Sequence, residues 1–305
     1  MSSLKAVPSG WGVSIAIAFF TGCTSLPQPQ ETQGHDLRGP VRAMGSVVRS
    51  EMSFQFPEGN ILITVGDQTV QGRMEMRGQQ VLENEVLRAA GPQMGKVKVR
   101  YAEDTLDIAR IFCGKKSSEL EKGPLHGRTV VGDQSAGAWR FHLAEGKPSR
   151  DQTIALEELA GGFGADIYPA RPVRVGESWP VDPASVKRWL GHDLLRSTGK
   201  AQMTLREITT HAGERCARLE LEIDVAGTLK DALGNELEIS MGLQGTLYRS
   251  LETHTDLSGQ MSGLMILEGT VTDDGTPVGV KITGPITVEG RDRLQPAARA
   301  AQARP

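Results

Sequence analysis

The sequence predicts a mainly β protein, with an α+β fold as the alternative. Two antiparallel meander regions would form a curved sheet, a sandwich or a half-barrel, with a few short helices between them. Long stretches of the second half alternate strictly between apolar and polar residues, the pattern of strands with one dry and one wet face. Helical periodicity is confined to the middle of the chain, and 305 residues suffice for one large β domain or two smaller domains.

The clearest strands lie in the C-terminal region, residues 196–290. From Arg218 to Lys230 the odd-numbered positions are apolar and the even-numbered ones polar, and the residues from Glu236 to Leu247 repeat this pattern. Because the parity is the same on both sides of the turn, the connecting loop must hold an odd number of residues, three or five. An exposed apolar face of this size would cost more than the stability of a typical domain, so something must cover it.

The N-terminal β region, residues 46–148, alternates less regularly but carries repeated apolar positions between turn signals. Strands are expected at residues 46–56, 60–66, 68–77, 96–102, 105–113, 128–133 and 137–143.

A helical and proline-rich connector, residues 149–195, separates the two β regions. Ser149 and Gln152 have the spacing of a capping box, and apolar residues follow at helical intervals. The glycines of residues 161–164 lack the context of a nucleotide-binding loop and predict the end of that helix. Asp182 and Pro183 predict the start of a second helix.

The first 22 residues have the layout of a bacterial export signal. Lys5 and the α-amino group form a short positive region, and residues 11–20 are apolar but too few to span a bilayer. The sequence Phe20-Thr21-Gly22-Cys23 then places small residues before a cysteine. It resembles the lipobox of bacterial envelope lipoproteins, whose cysteine receives a diacylglyceryl group before cleavage, although leucine is usual in place of Phe20. An ordinary secretory signal is the alternative.

This resemblance implies where the protein resides. Cys23 would carry the lipid, with palmitate among its acyl chains, and would anchor the protein to a membrane. Thr24 follows the cysteine, and a residue other than aspartate there implies the outer membrane, with the body facing the periplasm. Residues 23–45 are rich in proline and glutamine and predict a flexible tether. Residues 291–305 predict a disordered tail.

Two cysteines remain after lipidation of the first. An oxidising compartment would allow a disulfide between Cys113 and Cys216. Sequence alone does not place the two Cα atoms within bonding range, so two separate thiols remain the alternative.

Residues 169–179 form a proline-punctuated extended segment that ends in a tight turn, where Gly176 allows the turn and Trp179 can anchor it. The pattern Pro-x-x-Pro-Val-x-Val-Gly-Glu-Ser-Trp resembles a segment of uncharacterised bacterial envelope proteins in which long C-terminal strands follow. The similarity covers residues 165–290 and implies no known activity.

An acidic patch is expected on the wet face of the hairpin between residues 218 and 247. It would be a weak divalent-cation or basic-partner site, or else a solvated face that deters edge-to-edge pairing. Its members are Glu220, Glu222, Asp224, Glu236 and Glu238.

Composition and missing motifs limit the function. The balance of 34 Lys and Arg against 37 Asp and Glu argues against a nucleic-acid partner. No nucleophile elbow, metal-protease motif or phosphate loop is present, so the sequence predicts no catalytic residue, metal or cofactor. We therefore expect a lipid-anchored envelope protein with a non-catalytic binding or structural role, acting on a protein partner. The alternative is a carrier of an apolar, lipid-like ligand, and a hydrolase with an unreadable site is a third.

Overall fold

A computed structural model describes residues 33–40, 42–90, 93–135, 137–164, 167–182, 194–230, 235–273 and 275–295. These residues form one curved antiparallel sheet of 12 strands that is not closed, together with one helix. The predicted fold class is therefore confirmed. The helix is neither long nor apolar enough to cross a membrane.

Six strands precede helix α1 (Arg150–Gly162) and six follow it. The first six are β1 (Val47–Val65), β2 (Gln68–Ala90), β3 (Gln93–Phe112), β4 (Lys115–Lys122), β5 (Thr129–Ser135) and β6 (Ala138–Leu143). The others are β7 (Ser178–Val181), β8 (Leu194–His211), β9 (Glu214–Lys230), β10 (Glu236–Ser250), β11 (Asp256–Asp273) and β12 (Thr276–Gln295).

The two predicted β regions belong to a single sheet because β1 pairs with β12. The strand order is β6-β5-β3-β2-β1-β12-β11-β10-β9-β8-β7, and β4 lies beside β3 outside this path. The β1–β12 ladder runs antiparallel from Val47 opposite Gln295 to Thr64 opposite Gly279. Residues 291–295 therefore belong to a strand, which corrects the prediction that the tail begins at residue 291.

Several strands are longer than their apolar patterns predict. β1 joins the two strands expected at 46–56 and 60–66 through a register shift between Phe56 and Gly59. β3 joins those expected at 96–102 and 105–113 through a shift next to Tyr101. β4 was not expected, because all eight of its residues are exposed and Leu120 is the single apolar residue among them, so no alternation arises.

The turn between β9 and β10 confirms the parity argument. Lys230 pairs with Glu236, so the loop holds the five residues 231–235, an odd number.

Helix α1 begins and ends where the sequence predicts. The Gln152 amide donates to Ser149 Oγ (3.2 Å), and the Ser149 amide donates to Gln152 Oε1 (3.0 Å), which completes the capping box. The helix ends at Gly162, and Gly164 has a positive φ of 77°. The second helix, expected after Asp182, lies outside the described residues.

Part of the predicted tether is instead packed against the sheet. His35 and Val173 exchange two backbone hydrogen bonds of 2.8 and 2.9 Å, and Leu37 is fully buried. A proline- and glutamine-rich composition does not reveal this order, because it depends on one apolar side chain and on a strand-like partner far along the chain. The tether prediction therefore does not hold for residues 34–37.

The proline-rich segment lies extended on the sheet, as its sequence predicts. Gly176 adopts a positive φ of 86° at the turn. Trp179 is buried and its Nε1 donates to the Ile167 carbonyl (2.9 Å), so this side chain anchors the turn to the core.

Buried apolar side chains occupy one side of the sheet, which we call the inner face, in two clusters. The first spreads over β8 to β12 and the adjoining parts of β1 to β3, and it includes Leu37, Val173 and Trp179. The second joins Val97, Val99 and other residues of β3, β5 and β6 to α1. The dry face of the C-terminal strands is thus covered in part by the chain itself.

Candidate functional site

An apolar cavity of about 460 Å³ lies on the inner face between the two clusters. Three groups of side chains line it. Strands β1 to β3 contribute Met52, Leu82, Val86, Met94, Val97, Val99 and Tyr101; strands β9 to β12 contribute Leu221, Leu247, Met261 and Val288; and the end of α1 contributes Leu159 and Phe163.

Glycines leave part of the cavity wall as bare backbone. Gly259 of β11 and Gly290 of β12 are direct partners, and both line the cavity. A Cβ atom at Gly290 would have only the Glu51 carbonyl within 4 Å, at 3.9 Å. The empty space beside these strands therefore arises from missing side chains.

Charged groups are also present around the cavity, and acidic ones predominate. Two arginines are among the residues that line it, Arg42 and Arg291. Five acidic residues line it, Glu51, Glu85, Glu158, Asp256 and Asp292. Glu51 and Glu85 do so through their backbone, since their carboxylates pair with Arg291 and Lys98 on the opposite face of the sheet. Hydrogen bonds from Arg49 and Arg291 hold the pKa of the Glu51 carboxyl below its ordinary value. An apolar interior with a polar surround is the usual composition of a ligand site.

Tyr101 is the buried polar residue of the cavity wall. Its side chain is 2% exposed, and burial, with a smaller contribution from the Asp104 charge, raises its pKa. The phenol is therefore neutral at physiological pH.

A second cluster of polar groups fixes the segment before β1. The Arg249 guanidinium donates to the Leu37 carbonyl (2.5 Å), the Arg38 carbonyl (3.4 Å) and Asp256 Oδ1 (2.6 Å). It also lies 3.8 Å from the centre of the Tyr168 ring, whose hydroxyl donates to the same Asp256 oxygen (2.6 Å). We call these groups the Arg249 cluster, and through Asp256 it borders the cavity.

The two cysteines expected to form a disulfide are free thiols in the structure. Cys113 is exposed in the turn between β3 and β4, whereas Cys216 is buried on β9. Burial raises the pKa of the Cys216 thiol. An exposed turn and a buried strand position do not bring the two sulfur atoms together, which corrects the disulfide prediction. Cys23 lies outside the described residues.

The predicted acidic patch is divided along the hairpin. Glu220, Glu222 and Asp224 follow one another on β9, whereas Glu236 and Glu238 lie opposite residues 230 and 228 near the turn. Glu220 accepts a hydrogen bond from Arg206 Nε (2.6 Å). No group of three His, Cys, Asp or Glu residues that could hold a metal ion occurs in the described part of the chain.

One serine–histidine pair forms that the sequence did not indicate. Ser258 Oγ lies 2.8 Å from His211 Nε2, and the His211 ring stacks on Tyr248 at 4.0 Å. None of the three residues lines the cavity. The pair therefore places no nucleophile beside the cavity.

No protein-family model matches this sequence, and no curated protein matches it. Among solved structures, the chain is similar to lipovitellin, in a structure concerned with lipid–protein interactions, at 11% identity and a TM-score of 0.42. The match covers 86% of this chain and 26% of that one, so the chain spans about a quarter of the lipovitellin chain. It is also similar to a DUF1329 family protein from Desulfovibrio piger, at 11% identity, a TM-score of 0.15, and 83% and 88% coverage. At these values neither similarity assigns a function.

Proposed function

We propose that the protein binds an apolar, lipid-like ligand in the cavity of the inner face, and that it does so as a lipid-anchored protein of the bacterial envelope. The observation that carries the first part is the cavity itself. Its volume of about 460 Å³ falls within the roughly 300–1,000 Å³ of small-molecule sites. Carrier function is thereby favoured over a purely structural role.

Packing supports an occupant for this space. Protein interiors are close-packed and leave few voids larger than a water molecule. An apolar void offers water few hydrogen-bond partners, so an apolar molecule is the better occupant. Three methionines in the wall, Met52, Met94 and Met261, have flexible side chains that can adapt to acyl chains of different shape.

Filling the cavity with a side chain tests this proposal. In Gly290→Phe the ring would occupy the ligand space, because a Cβ there has no close neighbour. We expect the wild-type protein to bind the neutral apolar dye N-phenyl-1-naphthylamine with a rise in fluorescence, and the variant to bind it at least about tenfold more weakly, the effect of losing roughly 1.4 kcal/mol of binding energy.

Gly242→Phe is the matched control. Gly242 is also a strand glycine, and no atom lies within 4 Å of its added Cβ, where Gly290 has one at 3.9 Å. Gly242 is exposed and does not line the cavity. We expect it to bind the dye as the wild type does. Equal binding by the two variants, or no binding by the wild type, would contradict the proposed cavity function.

The anchoring proposal has a separate test. When the full chain is expressed in bacteria with radiolabelled palmitate, we expect Cys23→Ser to lose the label because the acceptor thiol is gone. The control Cys113→Ser, which removes an exposed thiol, should keep it. A label that persists in Cys23→Ser would refute lipidation at this residue and leave the cavity proposal untouched.

A further inference from the structure

We infer that the Tyr101 hydroxyl is the hydrogen-bonding anchor of this cavity, and that the ligand carries an uncharged carbonyl or hydroxyl group, as an acylglycerol does, rather than a free carboxylate. This inference rests on the proposed apolar-ligand function and specifies its ligand class.

A register shift directs Tyr101 into the cavity. Val81 pairs with Glu103 but Leu82 pairs with Tyr101, so Ala102 is an extra residue in β3. A bulge of this kind turns the following side chains to the other face. Beyond it Val97, Val99 and Tyr101 all reach the inner face, whereas an unbroken strand would send Tyr101 outward.

The O–H group of Tyr101 can donate a hydrogen bond to a ligand. No hydrogen bond to it is formed by the part of the chain that the structure describes, although its backbone N–H and carbonyl are both bonded. The hydroxyl oxygen also keeps some accessible surface. Among the described residues, the only fully enclosed side-chain polar atom without a hydrogen-bond partner is Nδ1 of His254, not the Tyr101 oxygen. Leaving a buried hydroxyl unpaired is unfavourable, and a ligand oxygen in the cavity would pair it.

The charges around the cavity disfavour an anionic ligand. The charged residues that line it and whose side chains do not lie on the opposite face of the sheet are the acidic Glu158, Asp256 and Asp292 and the basic Arg42. The Asp104 carboxylate, close enough to raise the pKa of Tyr101, adds negative charge near the hydroxyl. A fatty-acid carboxylate brought to this point would lose hydration and face like charges. A neutral ester or hydroxyl group accepts the same hydrogen bond without that cost.

Competition against bound N-phenyl-1-naphthylamine tests the inference with two lipids that have the same acyl chain but different polar groups. At pH 8.5, 1-monooleoylglycerol should displace the dye at lower concentration than oleate, because only oleate carries a charge. Tyr101→Phe should weaken 1-monooleoylglycerol about 3- to 10-fold, the effect of one net hydrogen bond, and should weaken it more than it weakens the dye, which carries no oxygen.

Tyr248→Phe provides the control, because Tyr248 stacks on His211 and does not line the cavity; its affinities should equal those of the wild type. The inference is overturned if oleate competes as well as 1-monooleoylglycerol, or if Tyr101→Phe leaves the affinity for 1-monooleoylglycerol unchanged. Dye binding by the wild type and its loss in Gly290→Phe would still support the cavity. If the wild type binds no dye, the proposed function itself is refuted.

Discussion

Replacing Arg249 with methionine should lower the free energy of unfolding by about 3–5 kcal/mol, the cost of removing one partner from a buried charge pair. Arg249 is 7% exposed and donates hydrogen bonds to three groups that would be left behind, the Leu37 and Arg38 carbonyls and the Asp256 carboxylate. Methionine matches much of the apolar stem of arginine but donates nothing, so the variant isolates the guanidinium. Denaturant unfolding followed by circular dichroism measures the difference.

The same substitution should release the segment before β1. Besides the His35–Val173 bridge and the buried Leu37, hydrogen bonds from the Arg249 guanidinium hold the backbone carbonyls of residues 37 and 38. Arg38 is exposed, so trypsin should cleave after it faster in Arg249→Met than in the wild type. Faster cleavage requires local opening and would appear at denaturant concentrations too low to unfold the sheet.

Arg206→Met is the control for a lost arginine. Its Nε lies 2.6 Å from Glu220, but its side chain is 44% exposed, and surface ion pairs contribute about 0–1 kcal/mol. We expect a change within that range and no change in cleavage after Arg38. A similarly small effect of Arg249→Met on the free energy of unfolding would show that the Arg249 cluster does not stabilise the fold.

The C-terminal strands could be predicted because one of their faces is buried in the core and the other is exposed to water. Leu219, Leu221 and Ile223 alternate with charged residues, and this alternation specifies both the strand and the direction of its side chains. β4 gives no such signal, because its residues are exposed on both faces. Its pairing with β3 is a matter of backbone hydrogen bonds, which no side-chain pattern reports.

Aromatic rings lying over glycines weaken the pattern in the N-terminal strands. Phe54 occupies the space beside Gly78, and Phe112 that beside Gly72. Such a glycine lies on the inner face, yet its position carries no apolar residue. The alternation along β2 is therefore interrupted where the packing is most specific.

The cavity could be anticipated only in general terms. The sequence predicts an apolar face that needs a cover, and the strand predicted at residues 96–102 places Val97, Val99 and Tyr101 on one side because they alternate. The extra residue Ala102 decides which side that is, and a bulge leaves no mark in composition. Whether facing walls meet or leave a space depends on sheet curvature, which individual residues do not report.

Phe56→Ala should lower the free energy of unfolding by about 3–5 kcal/mol, the usual cost of removing a buried aromatic ring. Phe56 is fully buried, and its ring fills the space beside Gly59 and Gly284 at the register shift of β1. Phe54→Ala on the same strand is the comparison. Its ring is only partly buried against the same cluster, so less apolar area is lost and the destabilisation should be smaller.

A double-mutant cycle with Gly59→Ala identifies the cause of that loss. An added Cβ at Gly59 would lie 1.9 Å from the Phe56 ring, and the three nearest atoms all belong to that ring. Gly59→Ala alone should therefore destabilise the protein by about 1–3 kcal/mol through overpacking. In Phe56→Ala the ring is absent, and the methyl group that Gly59→Ala adds would partly fill the space that it leaves. In this background Gly59→Ala should therefore destabilise the protein little or stabilise it. Additive effects in chemical denaturation would mean that the ring and the glycine do not share this space.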